Sequence, residues 1–106
     1  MLIDVVTIFP KFFNQAFDFG IICQAHKKGI LQTRIVDLRK FSKDKRGTID
    51  DRPYGGGDGM VLKPEPVFKA VENCCSSPES SAHVVLLSPQ GRQFDQSKAK
   101  ELSLKS

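Results

Sequence analysis

Hydrophobic and polar positions follow two different periodicities in the first third of the chain. Leu2–Phe9 is rich in β-branched and aromatic residues and stops at Pro10, which predicts a buried strand. Two helical pieces punctuated by Gly20 and Gly29 follow, with apolar residues at helical spacing. The apolar positions are Phe12, Phe13, Ala16, Phe17, Ile21, Ile22 and Ala25. We expect the phenylalanines among them to lie in the core, because they share one helical stripe.

The same order of strand and helix recurs further along the chain. Leu31–Leu38 predicts a second strand, and the residues after Pro64 predict a helix that ends at Cys74 and Cys75, before a Ser-rich turn at 76–81. A third strand of the apolar kind found in parallel sheets is expected over 82–87. Strands that alternate with helices predict one α/β domain over residues 1–106, with a mostly parallel sheet and flanking helices.

The last predicted helix belongs to an α/β unit that lacks its following strand. Asp95 is a candidate N-cap for a last helix, and no strand follows that helix. An α/β unit normally returns to the sheet after its helix. We therefore expect the chain to stop short of the complete domain.

Residues Asp50–Met60, here called the glycine loop, carry the most unusual composition. Four glycines, three acids, an Arg, a Pro and a Tyr fit neither helix nor strand, and glycine permits close approach to the main chain. Tyr54 and Met60 are atypical of a disordered linker, so the composition favours a binding loop over a plain connector. Asp50, Asp51 and Asp58 could contact a substrate, act as a general base, bind a cation or cap the backbone of the loop. Of these roles, contact between one of them and a substrate edge is favoured over proton transfer.

A second candidate site follows the third predicted strand, at Ser88–Gly91. Ligands of parallel α/β sheets bind beyond the carboxyl ends of strands, so this segment is a candidate pocket wall or, equally, an ordinary turn. Pro89 fixes the turn, and the Ser88 hydroxyl and main chain can bond to polar edges. The glycine loop fits neither the dinucleotide fingerprint nor the phosphate-binding loop of nucleotide hydrolases. We therefore do not expect nucleoside triphosphate hydrolysis.

Charge and composition narrow the function classes further. Sixteen Lys and Arg against twelve Asp and Glu give a net charge of +4, and many of the cations lie in Arg39–Arg46. This excess favours a polyanionic partner, although a solvated basic surface explains it as well. No apolar run is long enough to cross a bilayer, and Asp4 interrupts the place of a secretory signal. The sequence therefore predicts a soluble, cytoplasmic protein with no membrane partner.

Neither the cysteines nor the histidines form a metal-binding pattern. Cys23, Cys74 and Cys75 have neither an even count nor the spacing of zinc ligands, so we expect reduced thiols that pack as small residues. His26 and His83 are isolated, and each is interpreted as structural. We assign no metal and no catalytic residue.

Three segments together resemble a known family. They are an opening Ile8-Phe9-Pro10, the glycine loop Asp-Asp-Arg-Pro-Tyr-Gly-Gly-Gly-Asp-Gly-Met, and Leu86-Leu87-Ser88-Pro89-Gln90-Gly91-Arg92. The chain closely resembles, over its whole length, the N-terminal part of bacterial tRNA (guanine-N1)-methyltransferase, a SPOUT-class methyltransferase with a trefoil knot. The resemblance implies methyl transfer from S-adenosylmethionine to N1 of the guanosine after the anticodon, by a homodimer with its active site between subunits.

The resemblance also implies which residues bind which partner. The methyl-donor pocket is expected to include Leu87, Ser88, Pro89, Gln90 and Gly91. The tRNA is expected to contact the residues of the glycine loop, with Asp50 and the Gly59 backbone suited to a guanine edge. The residues assigned to tRNA are Asp50, Arg52, Tyr54, Gly55, Gly56, Gly57, Gly59 and Met60. The basic residues of Arg39–Arg46 would then lie against phosphates, which position a nucleic acid without specifying it.

The family's remaining parts are expected beyond the end of this chain. They are the knot, the other donor loops, the Asp general base and the helical tRNA-binding domain. Transfer to N1 of guanine needs a base and a positive partner, so we expect the chain to be inactive alone. The alternative is a non-catalytic RNA-binding module derived from the same fold, which would not respond to S-adenosylmethionine.

Overall fold

The computed structural model describes residues 1–75 and 82–105. A strand, two helices and a second strand come first: β1 (Leu2–Thr7), α1 (Pro10–Phe17), α2 (Gly20–Lys27) and β2 (Gln32–Asp37). A 3-10 turn, a small hairpin and two helices follow: Leu38–Phe41, β3 (Asp50–Asp51), β4 (Val61–Leu62), α3 (Pro64–Cys74) and α4 (Gln96–Ser103). No helix among the described residues is long and apolar enough to span a membrane.

The first two predicted strands form a parallel pair, as expected. β1 and β2 run in register from Leu2 opposite Gln32 to Thr7 opposite Asp37, and helices α1 and α2 make the crossover between them. Parallel strands require such a crossover, because a tight turn reverses the chain and would place the next strand antiparallel. The α/β class with flanking helices is confirmed.

Helices α1 and α2 form where the apolar spacing predicts them, but their apolar stripe is not uniformly buried. Gly20 begins α2 with a φ of +67°, a conformation that suits glycine. Phe13 and Phe17 are half-buried and their ring centroids lie 5.8 Å apart. Phe12 is 64% exposed, so its assignment to the core is wrong. Its ring makes an edge-on contact with the ring of Phe13, with the centroids 5.2 Å apart.

The core lies between the 3-10 turn, the start of β3 and α3. Leu38, Ile49 and Ala70 are its buried residues in the described part of the chain. Partly buried neighbours from β1, β2 and these segments pack around them: Val6, Ile8, Val36, Phe41 and Val67. The helix predicted after Pro64 is therefore confirmed, and Ala70 on its apolar face holds it to the sheet.

The third predicted strand is absent from the described residues. The segment 82–87 has no strand partner and is exposed throughout, with Leu87 86% exposed. A strand exists only where a neighbouring backbone supplies its hydrogen bonds, and apolar character alone cannot provide that neighbour. The Ser-rich turn at 76–81 lies outside the described residues. Asp95 does cap α4, since its Oδ1 accepts a hydrogen bond of 2.8 Å from the Lys98 N–H.

A cross-strand ion pair predicts how stability depends on pH. Arg34 donates to both carboxylate oxygens of Asp4, with 2.6 Å from Nε to Oδ1, and these hydrogen bonds lower the pKa of Asp4 below its ordinary 3.8. A carboxyl with a lowered pKa in the folded state stabilises the fold above the unfolded-state pKa, and this stabilisation is lost as the pH falls through the folded value. We expect Asp4→Asn to lower the urea midpoint at pH 7.

The difference between Asp4→Asn and the unchanged protein should shrink as the pH falls below about 3.8, where the unfolded carboxyl takes up a proton, and should be lost below the lower pKa of the folded state. Urea titrations of both proteins between pH 7 and pH 2 would measure it. A difference that stays constant across this range would mean that Asp4 stabilises the fold by packing and not through its charge.

Candidate functional site

The glycine loop projects from a short hairpin. β3 and β4 pair antiparallel, with Asp50 opposite Leu62 and Asp51 opposite Val61, and so bring the two ends of the loop together. Sequence patterns did not predict this pairing, because two consecutive aspartates have low strand propensity. The hairpin therefore closes the long connection into a loop whose two ends are held next to each other.

Glycines set the path of the main chain within the loop. Gly55, Gly56 and Gly59 have φ values of +84°, +77° and +87°, which side chains other than glycine rarely adopt. The Gly56 N–H donates to the Pro53 carbonyl oxygen at 3.2 Å and closes a turn. The glycines are therefore required by the backbone conformation of the loop.

The residues assigned to tRNA all lie on the surface of this loop. The exposed set is Asp50, Arg52, Tyr54, Gly55, Gly56, Gly57, Gly59 and Met60. Tyr54 is fully exposed, and a planar ring held out in this way can stack on a nucleobase. Asp51 uses Oδ1 to accept a 2.8 Å hydrogen bond from the Arg52 N–H, which is the backbone-capping role left open for it. In the described part of the chain no three His, Cys, Asp or Glu side chains group as metal ligands.

Residues 87–91, which the resemblance assigns to the methyl donor and which are here called the donor loop, form a tight turn that is open to solvent. The Gly91 N–H donates to the Ser88 carbonyl oxygen at 3.1 Å, and the Gln90 N–H donates to the Ser88 hydroxyl at 3.2 Å. All five residues, Leu87, Ser88, Pro89, Gln90 and Gly91, are exposed. A Cβ at Gly91 would lie only 3.2 Å from the Ser88 carbonyl oxygen, so the turn accepts no larger residue without moving.

The structure does not join the two candidate loops. Within residues 1–75 and 82–105, the hydrogen bonds of the glycine loop and of the donor loop connect neither loop to the other. The donor loop was expected at the carboxyl end of a third strand, and that strand is not formed here.

A cleft that the sequence did not point to lies at the carboxyl ends of β1 and β2. It is open, measures about 880 Å³, and is lined by residues 7–13 together with Asp37 and Arg39. The Phe9 N–H donates to the Thr7 hydroxyl at 3.0 Å, which holds the chain at the end of β1. Ile8-Phe9-Pro10 was the available signal, because it directly follows a predicted parallel strand.

The pKa shifts of the titratable groups do not favour proton transfer. Three described carboxyls have a shifted pKa, and all three shifts are downward: Asp4, Asp44 and Glu101. A lowered pKa weakens a carboxylate as a base. Burial raises the pKa of the Cys74 thiol and so disfavours the reactive thiolate. His26 Nε2 lies 3.2 Å from the Thr33 hydroxyl and links α2 to β2, in agreement with a structural role.

The fold and its two motif loops define an N-terminal portion of a SPOUT-class methyltransferase domain. A crystal structure titled "tRNA (m1G37) methyltransferase from Aquifex aeolicus" matches with a TM-score of 0.85 and 37% identity, over 99% of this chain and 47% of that chain. The family model described as "tRNA (Guanine-1)-methyltransferase TrmD" matches residues 1–106. The chain belongs to this family.

Curated relatives agree along nearly the whole chain. The protein named tRNA (guanine-N(1)-)-methyltransferase of Koribacter versatilis (strain Ellin345) is 51% identical over an alignment of 106 positions, which covers 97% of this chain and 40% of that protein. The protein of the same name from Bacillus subtilis (strain 168) is 44% identical over 103 residues, 97% of this chain and 42% of that protein. The chain thus spans about two fifths of the curated relatives it matches.

Proposed function

We propose that the protein carrying this chain transfers a methyl group from S-adenosylmethionine to N1 of the guanosine that follows the tRNA anticodon. In this proposal the glycine loop contacts the anticodon bases and the donor loop forms part of the methyl-donor pocket. Membership of the tRNA (guanine-1)-methyltransferase family carries the proposal. The protein acts as a cytoplasmic homodimer whose active site lies between subunits.

The glycine loop supports the RNA-binding part of this proposal. Its main chain is exposed at three glycines with positive φ, where no side chain blocks a base from approaching. Asp50, at the base of the hairpin, is an exposed carboxylate that accepts hydrogen bonds only. A guanine edge presents N1–H and an amino group, both donors, so an acceptor at this position suits it.

The donor loop supports the cofactor part. S-adenosylmethionine supplies an electrophilic methyl group and carries an adenosine whose polar edges need partners. Leu87 offers an apolar surface, and the carbonyl groups of Pro89 and Gln90 offer acceptors beside it. These residues hold and orient the donor in the proposal and take no proton.

The catalytic base is expected outside residues 1–106. This expectation comes from the family resemblance, and Asp4 is occupied by its ion pair with Arg34. A chain of this length without a base would bind RNA and not modify it. The non-catalytic RNA-binding module is therefore the second candidate for the isolated chain.

One experiment tests the proposed function directly. The complete gene product is incubated with methyl-labelled S-adenosylmethionine and a tRNA bearing guanosine after the anticodon, and the digested RNA is analysed for 1-methylguanosine. A tRNA with adenosine at that position is the control. Product from the guanosine tRNA alone is expected. If the complete gene product binds the tRNA without methylating it, the proposed methyltransferase activity is rejected and the RNA-binding module becomes the preferred function.

The donor loop gives a separate prediction. Gly91→Ala should weaken S-adenosylmethionine binding by the complete gene product roughly fivefold, because about 1 kcal/mol of local distortion is needed to move the new Cβ from the Ser88 carbonyl oxygen. Isothermal titration calorimetry would measure the Kd. Gly57→Ala is the matched control, since its Cβ would meet only Pro53 Cγ at an ordinary 3.8 Å. Equal donor affinities in both variants would exclude the 87–91 turn from the pocket.

A further inference from the structure

The segment Ser42–Thr48, here called the basic loop, joins the 3-10 turn to Ile49, which directly precedes the glycine loop. Its cationic residues, Lys43, Lys45 and Arg46, are all exposed. In the part of the chain that the structure describes, the ion pairs are Arg34 with Asp4 and Lys98 with Glu101. The cations of the basic loop take part in neither, so their charges are available to an external anion.

Hydrogen bonds across the basic loop fix its shape. Asp44 Oδ1 accepts from the Thr48 N–H at 2.8 Å and lies 2.8 Å from the Ser42 hydroxyl. That hydroxyl also lies 3.0 Å from the Thr48 carbonyl oxygen and accepts from the Asp44 N–H at 3.2 Å. A flexible basic segment needs no such network, because unspecific attraction to a polyanion requires only charge. The loop is therefore built to present its cations in one arrangement.

A glycine and an arginine complete the arrangement. The Gly47 N–H donates to the Asp44 carbonyl oxygen at 3.3 Å, and Gly47 has a φ of +69°. A Cβ there would lie 3.3 Å from Cβ of Arg39, so the absence of a side chain lets Arg39 lie along the loop. The Arg39 guanidinium donates to the Gly47 carbonyl oxygen at 3.4 Å. A fourth cation thus lies beside the three of the loop.

The single acid in the basic loop is occupied by its own hydrogen bonds. Those from Thr48, and then those from Ser42, hold the pKa of Asp44 well below its ordinary value, so it stays ionised at neutral pH. Asp44 accepts from the main chain of its own loop and is not paired with a cation. It therefore acts on the conformation of the loop.

The basic loop is attached rigidly to the glycine loop. Ile49, which follows Thr48, is 2% exposed, and its carbonyl oxygen accepts from the Lys63 N–H at 2.7 Å. Asp50 then starts the hairpin that carries the glycine loop. A buried residue whose carbonyl oxygen is hydrogen-bonded restricts how far the two loops can move relative to each other. Anions bound by the basic loop would lie at a fixed place relative to a base bound by the glycine loop.

We propose that the basic loop contacts RNA backbone phosphates beside the base held by the glycine loop, and that Asp44 is the positioning residue that orders it. This inference rests on the proposed function, and it specifies where the phosphates lie and what holds their partners. RNA fits better than a protein ligand, because phosphates recur at every nucleotide and the exposed loop has several cations and no apolar anchor.

Salt dependence tests the phosphate contacts. The complete gene product binds a fluorescent anticodon stem-loop RNA, and the Kd is measured by anisotropy at increasing KCl. Each phosphate contact on single-stranded RNA contributes about 0.7 to the slope of log Kd against log salt. The variant Lys43→Gln, Lys45→Gln, Arg46→Gln is expected to reduce that slope by roughly 2. The charge-matched control carries Lys27→Gln, Lys28→Gln and Lys100→Gln, which are exposed elsewhere.

The slopes decide between local contact and net charge. A reduced slope in the basic-loop variant with a near-normal slope in the control supports the proposal. Equal slopes in the two variants overturn it, whether both fall or neither does. The 1-methylguanosine assay on the unchanged protein reports the proposed function separately. If the protein methylates tRNA but the two slopes are equal, the phosphate contacts of the basic loop are rejected and the proposed function stands.

The positioning role of Asp44 has a test with an unambiguous sign. Asp44→Ala removes a negative charge beside the RNA, so charge alone predicts tighter binding. Loss of the ordered loop predicts weaker binding, by roughly threefold to tenfold, because the hydrogen bonds that order the cations are gone. Asp44→Asn has the same charge as the alanine variant but keeps an oxygen acceptor, and it should restore most of the affinity. Tighter or unchanged binding by Asp44→Ala would overturn the positioning role.

Discussion

Replacing Gly59 with Val in the complete gene product is expected to lower kcat/KM for tRNA methylation roughly 10-fold to 100-fold. Gly59 has a φ of +87°, and a β-branched residue there costs on the order of 1–3 kcal/mol of backbone strain. Since 1.4 kcal/mol is about a factor of ten, strain of this size accounts for the loss. The loop would relax to another conformation and withdraw its main chain from the guanine edge. Steady-state kinetics with a tRNA transcript would measure the change.

A graded series separates the causes of this loss. No described atom lies within 4 Å of a Cβ placed at Gly59, so a Cβ there does not clash within the chain itself. Asn tolerates positive φ better than Val does. If Gly59→Asn keeps most of the activity, the backbone conformation is what matters. If it fails as Val does, the side chain occupies space that the RNA needs. Full activity of Gly59→Val would exclude the glycine loop from tRNA binding.

The parts of the fold that follow from local sequence were predictable. Periodicity identified β1, β2 and α3, and glycine and aspartate at helix ends set where α2 and α4 begin. These features depend on short-range sterics and hydrogen bonds, which the sequence encodes directly. The 82–87 segment shows the limit. Its apolar run predicted a strand, but strand formation depends on a distant backbone that the run does not specify.

The candidate site was predictable as a set of residues and less so as a geometry. Composition pointed to the glycine loop, and the structure adds the hairpin that closes it between Asp51 and Val61. The Ser42, Asp44 and Thr48 network was not predictable from charge, because the basic residues of Arg39–Arg46 indicate a polyanion partner and not a folded loop. A Ser and an Asp two residues apart, ahead of a Gly, were the available signal for local hydrogen bonding.

Ile49→Ala is expected to destabilise the protein by about 2–5 kcal/mol, the usual cost of deleting a buried isoleucine side chain. Ile49 is 2% exposed, and Leu38 and Ala70 are the other buried residues of this cluster. In a small core few neighbouring side chains can move to fill the cavity that the truncation leaves. The expected loss is a large fraction of the stability of a typical domain. Urea unfolding of the complete gene product, followed by circular dichroism, would measure it.

The control for this prediction is Ile21→Ala. Ile21 is 82% exposed, so removing the same atoms there should change the free energy of unfolding by no more than about 0.5 kcal/mol. Because Ile49 lies between the basic loop and the hairpin, its truncation should also loosen both loops, and RNA affinity should fall before global unfolding. Equal destabilisation by the two variants would mean that the cluster around Ile49 does not anchor the hairpin.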